Sequence, residues 1–352
     1  MRKVMRAFLG GGLLLLLLSI VALSVGPVDV SLSEITRGAT WELTERSASS
    51  IALAQESPEA FYERYGFVYT HWVIVRDVRL PRMLWALLVG AVLACSGVGM
   101  QSLFRNPLAD PGLIGVSAGA SLGAIVALVC VPSVLGALTL PLGAFMGSML
   151  AVIFIYKMAH NTEQPWAGSL LLVGVAVNAF VLACVGGLIY FSQDAQLRDY
   201  TFWALGSLNK ASWDKVSLSA PFMLLPLVIF PWLGGRLNAV LLGEEQAGYL
   251  GVNVATVRRW VILLSASMVG CAVAFCGIIG FVGLIVPHAV RLVLGPDNRR
   301  LIPAAMLLGA ILLLSADLGI RALPGGVEMP IGVVTAFVGA PVFLILLRRQ
   351  PC

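Results

Sequence analysis

Residues 234–260 read GGRLNAVLLGEEQAGYLGVNVATVRRW, a polar interruption between two long apolar tracts. Arg236, Glu244, Glu245, Arg258 and Arg259 fall inside it, while the sequence on either side runs nearly without charge. From Leu242 to Leu250, good helix formers carry two acids near the start, where the positive end of a helix dipole favours them. Gly251 and Asn253 then offer a break. The stretch is expected to form one or two short helices on the cytoplasmic face, joining two membrane halves. A solvated loop that merely connects spans is the plainer alternative, and position alone does not separate the two.

Outward from this stretch, the 352 residues are 59% hydrophobic and 12% charged, with a mean hydropathy of +0.93, which excludes a soluble globular domain. A membrane span needs about 20 apolar residues. Apolar runs lie near 7–26, 82–104, 113–131, 135–158, 168–191, 216–234, 259–279, 282–295, 301–322 and 329–347. The expected fold class is an all-α polytopic membrane protein of about ten transmembrane helices. It is one domain, 1–352, with a first half at 1–234, a cytoplasmic segment at 235–258 and a second half at 259–352.

The net charge of +5 follows from topology and calls for no nucleic acid. When ten spans are threaded, Arg2, Lys3, Arg6, Arg105, Lys157, Arg236, Arg258, Arg259, Arg299, Arg300, Arg348 and Arg349 fall on one side, which is therefore cytoplasmic and holds both termini. The opposite side receives Pro27–Asp77, where Glu34, Glu42, Glu45, Glu56, Glu59 and Glu63 outnumber the bases; short surface helices are expected there. The first 24 residues have the basic head, apolar run and small residues of a signal peptide, but fit an uncleaved first span equally well by charge. The cysteines, Cys95, Cys130, Cys184, Cys271, Cys276 and Cys352, stand singly without metal-ligand spacing.

Arg79 and Arg82 stand at the outer start of the second span, and Asn106, Pro107, Asp110 and Pro111 make a tight inner turn. Gly115, Gly119 and Gly123 recur every four residues, a spacing that lets backbones pack closely in lipid and permits helices to slide; Gly143 and Gly147 repeat the device as packing glycines. Asn178 lies near mid-membrane, where an amide either bonds a neighbouring helix or faces a pathway. Asp317 and Arg321, four apart, can pair. Gly97 and Pro107 are echoed by Gly277 and Pro287 at the same interval, in copies that run in opposite directions, as in an inverted internal repeat.

No GxxxxGK[ST] loop occurs, and none of the lysines, Lys3, Lys157, Lys210 and Lys215, follows a glycine, so the chain has no phosphate-cradling loop for hydrolysing ATP. His71, His160 and His288 are scattered, and no catalytic motif or metal site is expected.

The chain resembles the permease subunits of ABC importers for iron chelates, haem and cobalamin. The resemblance is carried by RLPR at 79–82, NPLADPGLIGVSAGA at 106–120, LLLVGVAVNA at 170–179, LGEEQAGYLGV at 242–252, GFVGLIVPHAVRL at 280–292 and MPIGVVTAFVGAPVF at 329–343. Segment 32–76 lies outside it. The resemblance implies a homodimer in the bacterial inner membrane, bound to two ATPase subunits and fed by a periplasmic binding protein. ATP is then used by the partner subunit, and no cofactor is covalently bound.

By the same resemblance, Gly243, Glu244, Glu245, Ala247, Leu250 and Gly251 couple the chain to the ATPase. Arg79, Arg82 and Arg321 dock the binding protein. The last assignment also has a physical motive, since three like charges at a water-facing surface call for an anionic partner; interfacial anchoring of each arginine is the alternative. The translocation path lies at the dimer axis between the fifth and tenth spans, with Gly115, Gly119 and Asn178 as path or gating residues. The outer sequence DAQLRDYTFWALGSL at 194–208 looks like haem permeases, with a ferric siderophore or cobalamin as the other cargoes. The rival class is an ion-coupled secondary transporter, which usually needs ionisable groups at mid-membrane that this chain scarcely offers. A channel or receptor without energy coupling would lack the ATPase.

Overall fold

Every apolar run contains a helix in the computed structural model, which describes residues 2–42, 69–131, 136–160, 166–323 and 329–348. The helices in order are α1 (Arg2–Ser24), α2 (Leu32–Thr40), α3 (Leu80–Phe104), α4 (Val116–Cys130), α5 (Thr139–His160), α6 (Trp166–Tyr190) and α7 (Asp194–Ala204). They continue as α8 (Trp213–Ile229), α9 (Gly234–Leu242), α10 (Glu244–Tyr249), α11 (Val254–Cys276), α12 (Val282–Leu294), α13 (Asn298–Arg321) and α14 (Ile331–Arg348). Among the described residues seven helices are long and apolar enough to cross a membrane, and three shorter apolar ones, α4, α12 and the apolar part of α14, complete the ten. No strand occurs among the described residues.

Capping explains most of the boundaries. Ser31 begins α2 with a reciprocal capping box to Glu34. Pro81 sits in the first turn of α3, where its missing N–H is no loss. Asn253 and Asp297 cap α11 and α13 by accepting from Thr256 N and Arg299 N. The expected third span is shorter than its apolar run. Asp110 caps a 3-10 turn, Pro111–Ile114, and Gly115 (φ +88°) breaks the chain before α4 starts. Of the outer segment, α2 is the expected short helix; Glu45, Glu56, Glu59 and Glu63 lie outside the described residues.

The core is built around α3 and α11, both mostly buried, while α1 and α6 are mostly exposed. α3 crosses α13 where Gly90 and Gly309 face each other so closely that a Cβ on either would overlap the other's carbonyl. It crosses α12 in the same way, Gly97 against the Gly283 carbonyl. In lipid, such small-residue contacts hold helices by backbone packing.

Both α3–α6 (25, 15, 22 and 25 residues) and α11–α14 (23, 13, 24 and 18) place their shortest helix second. Gly112-Leu113-Ile114 before α4 and Gly283-Leu284-Ile285 opening α12 hold matching places. The Gly97/Gly277 echo is a coincidence of spacing, because Gly97 is inside α3 whereas Gly277 (φ +74°) terminates α11.

Candidate functional site

The interruption at 234–260 folds as two short helices and the start of a third, set at one end of the bundle. Gly243 (φ 134°, ψ 151°) divides what the sequence suggested as one helix from Leu242; a Cβ there would strike the Gln246 side chain. Glu244 and Glu245 then occupy the first turn of α10. The helix closes with Val252 N donating to Ala247 O at 2.9 Å and Gly251 at φ +76°, a left-handed cap that glycine adopts without strain. The expected break at Gly251 and Asn253 is therefore where the structure has it.

α10 is fixed from beneath and bare above. Ala247 is fully buried, while Glu244, Glu245, Gln246 and Gly248 are exposed, and Tyr249 and Leu250 stand 82% and 63% exposed. The Tyr249 hydroxyl donates to Glu245 Oε1 at 3.2 Å. Glu244 Oε1 accepts from Arg258 Nη2 at 2.7 Å, and the Arg258 guanidinium lies 3.7 Å above the Trp166 ring. One buried arginine thus joins α10, α11 and the start of α6.

α9 is held by a polar chain. Asn238 donates to Asp297 Oδ1 at 2.6 Å and accepts from Asn298 N at 2.8 Å, and Asn298 Oδ1 accepts from Ser102 of α3 at 3.0 Å. The hydrogen bond from Asn238 holds the Asp297 carboxyl below its ordinary range, helped by Arg299 N and by the charges of Arg300 and Arg299. Asn238, Asn298 and Trp166 carried no signal in the sequence, because each depends on a partner far along the chain.

The opposite end holds Arg79, Arg82 and Arg321, and here the expectation of a water-facing surface is corrected. Arg79 is 4% exposed and donates to Leu23 O at 2.7 Å, Ser24 O at 2.5 Å and Val28 O. Arg321 donates to Ala22 O at 3.0 Å and Val25 O at 3.2 Å and is ion-paired with Asp317 at 3.1 Å. Arg82 contacts the same carboxylate at 2.7 Å. Two guanidinium groups satisfy carbonyls at the end of α1, where helical C=O groups lack partners and the dipole favours cations. An external carboxylate reaching for Arg82 or Arg321 would first have to displace Asp317.

Gly115, Gly119 and Asn178 come together where α4, α5 and α6 meet. A Cβ on Gly119 would overlap Gly147 O and Ala151, and one on Gly123 would overlap Gly143 O, so the two glycine series are each other's partners. Gly115 precedes α4 but faces α5 as Gly119 does, since a Cβ on it would meet Ile155 and Ala151. Asn178 answers the sequence alternative by bonding a neighbour: Nδ2 donates to Gly112 O at 3.2 Å. No cluster of three or more potential metal ligands occurs among the described residues.

Against known proteins, the profile of the FecCD transport family matches residues 14–349. The hemin transport system permease protein of Yersinia pestis is 46% identical over 283 residues, covering 79% of this chain and 84% of that protein. A cobalamin import system permease protein of Halobacterium salinarum is 36% identical, with 96% and 95% covered. The Fe(3+) dicitrate transport system permease protein of Escherichia coli is 41% identical, with 80% and 87% covered. A solved metal-chelate type ABC transporter in an inward-facing conformation superposes with a TM-score of 0.81 at 32% identity, covering 97% of this chain and 98% of that one.

Proposed function

The chain belongs to the FecCD transport family, and from that premise we propose that it is the permease of an ATP-driven importer whose cargo is haem. It is the transport component of an ABC importer and a multi-pass membrane protein. The observation that carries haem is the 46% identity to the hemin permease over 283 residues, against 41% to the ferric dicitrate permease over 282.

In this reading the chain sits in the bacterial inner membrane with both termini in the cytoplasm. Two copies enclose the path between α6 and α14, two ATPase subunits bind from the cytoplasm, and a binding protein delivers cargo from the periplasm. The exposed top of α10, with Glu245, Tyr249 and Leu250, is the surface offered to the ATPase. Its rigid mounting through Glu244, Arg258 and Trp166 supports that role, because a push on α10 passes directly to α11 and α6.

The test is uptake into proteoliposomes containing the permease, its ATPase and its binding protein, with haem, a ferric siderophore and cobalamin offered side by side. ATP-dependent haem uptake without an ion gradient is the expected result. Preference for cobalamin or a siderophore would overturn the cargo. Uptake driven by a proton or sodium gradient without ATP would put the chain among secondary transporters.

A further inference from the structure

Two cavities share Lys157 in their linings. One is an apolar groove of about 710 Å³ over the α4–α5–α6 junction, floored by Gly119, Gly123, Gly143 and Gly147 and walled by Leu150 and Phe180. The other, of about 350 Å³, is lined by Tyr156, Lys157, His160 and Arg259. Beneath the groove the four glycines bring the backbones of α4 and α5 into contact, so that a Cβ on any of them would overlap the facing helix. Among the described residues no acid lines either cavity.

The cations of the smaller cavity are arranged differently from their neighbour. Arg258 is committed to Glu244 and Trp166, whereas Lys157 and Arg259 are exposed and make no ion pair among the described residues. The His160 ring stacks on Tyr156, with centroids 6.3 Å apart and 12° between the planes. A long apolar trough that ends in a lysine, an arginine, a histidine and a phenol has the chemistry of one amphiphile with an anionic head.

We propose that the paired cavities bind one anionic phospholipid, its phosphate between Lys157, His160 and Arg259 and one acyl chain along the glycine floor. On α5 the groove runs from Gly143 to Lys157, about 21 Å at 1.5 Å per residue. Half of a hydrocarbon core is about 15 Å, so the trough is long enough for a whole acyl chain. A free phosphate has no use for the apolar part. The cationic end is the one assigned above to the cytoplasm, where anionic lipids gather; this sidedness rests on that reading, but binding can be measured without it. The bound headgroup touches Arg259, next in sequence to the arginine that holds α10, so the lipid stands beside the coupling segment.

Native mass spectrometry of the purified full-length protein tests the site, with phosphatidylglycerol and phosphatidylcholine added in turn. One phosphatidylglycerol should be retained per chain, preferred over phosphatidylcholine by roughly thirtyfold, as expected for two cations beside an anionic headgroup. Lys157→Gln with Arg259→Gln should abolish the preference. Leu150→Trp, which fills the groove from an exposed position, should reduce retention of both lipids, and Met146→Trp serves if that variant does not fold. Inorganic phosphate should not displace the lipid. The proposal is overturned if the double variant still prefers phosphatidylglycerol to phosphatidylcholine, if inorganic phosphate competes the lipid away, or if Leu150→Cys cross-links to a second copy.

Discussion

Asp317 is one carboxylate, fully buried, in ionic contact with both Arg82 and Arg321. Removing one partner of a buried ion pair leaves uncompensated charge and costs about 3–5 kcal/mol. Asp317→Asn should therefore lower the thermal midpoint of the detergent-solubilised protein steeply, and an unchanged midpoint would show that water reaches the cluster. Asp297 supports a pH prediction. Its folded carboxyl titrates below the ordinary value, so it stabilises the fold above the unfolded value of about 4, and this contribution fades as pH falls through the lowered folded value. Thermal midpoints of Asp297→Asn and the parent should thus differ at neutral pH and converge below about pH 4; parallel curves would contradict the assignment. The Asp317–Arg321 pair was legible from its i, i+4 spacing. The carbonyl partners of Arg79 were not, since a backbone oxygen carries no residue identity.

At the scale of elements, α10 is tied to α11 by the Glu244–Arg258 ion pair, the link through which it would act in the proposed importer. Glu244→Lys should uncouple ATP hydrolysis from uptake by placing like charge against Arg258, and Glu244→Arg with Arg258→Glu should restore part of the coupling. If the charge-reversed protein transports at the parent rate, α10 is not the lever. Gly119→Leu is expected to damage packing as well as transport, because Gly147 O already occupies the place of its Cβ; overpacking costs about 1–3 kcal/mol. A variant with parent melting behaviour would contradict that contact. The helices themselves were readable because a run of apolar residues is a local property. The split at Gly243 was not, since a glycine inside a helical pattern costs only about 1 kcal/mol, and the surroundings decide whether the chain turns there. Apolar length also misplaced the start of the third span, where Asp110 and Gly115 impose a 3-10 turn that hydropathy does not sense.

For the whole molecule, the question is which faces meet lipid and which meet a second copy. α1 exposes Leu9, Leu13, Leu14, Leu16 and Leu17, bulky side chains suited to acyl chains. α6 also exposes bulky side chains, Leu172, Val175, Phe180 and Leu182, but between them Ala176, Ala179, Ala183 and Gly187 recur at helical spacing, and Gly187 has open space where a side chain would be. Lipid gives no reason for small residues, because apolar burial does not drive helices together in hydrocarbon; close approach of another helix does. This stripe borders Phe180, which also walls the lipid groove, so the second copy and the lipid would lie side by side. In the proposed importer the stripe faces the second copy. Ala183→Trp should then shift the purified protein from dimer toward monomer in light scattering, whereas Leu14→Trp on α1 should leave the dimer intact. Equal dimer fractions in both variants would place the subunit interface away from α6, and with it the path between the copies.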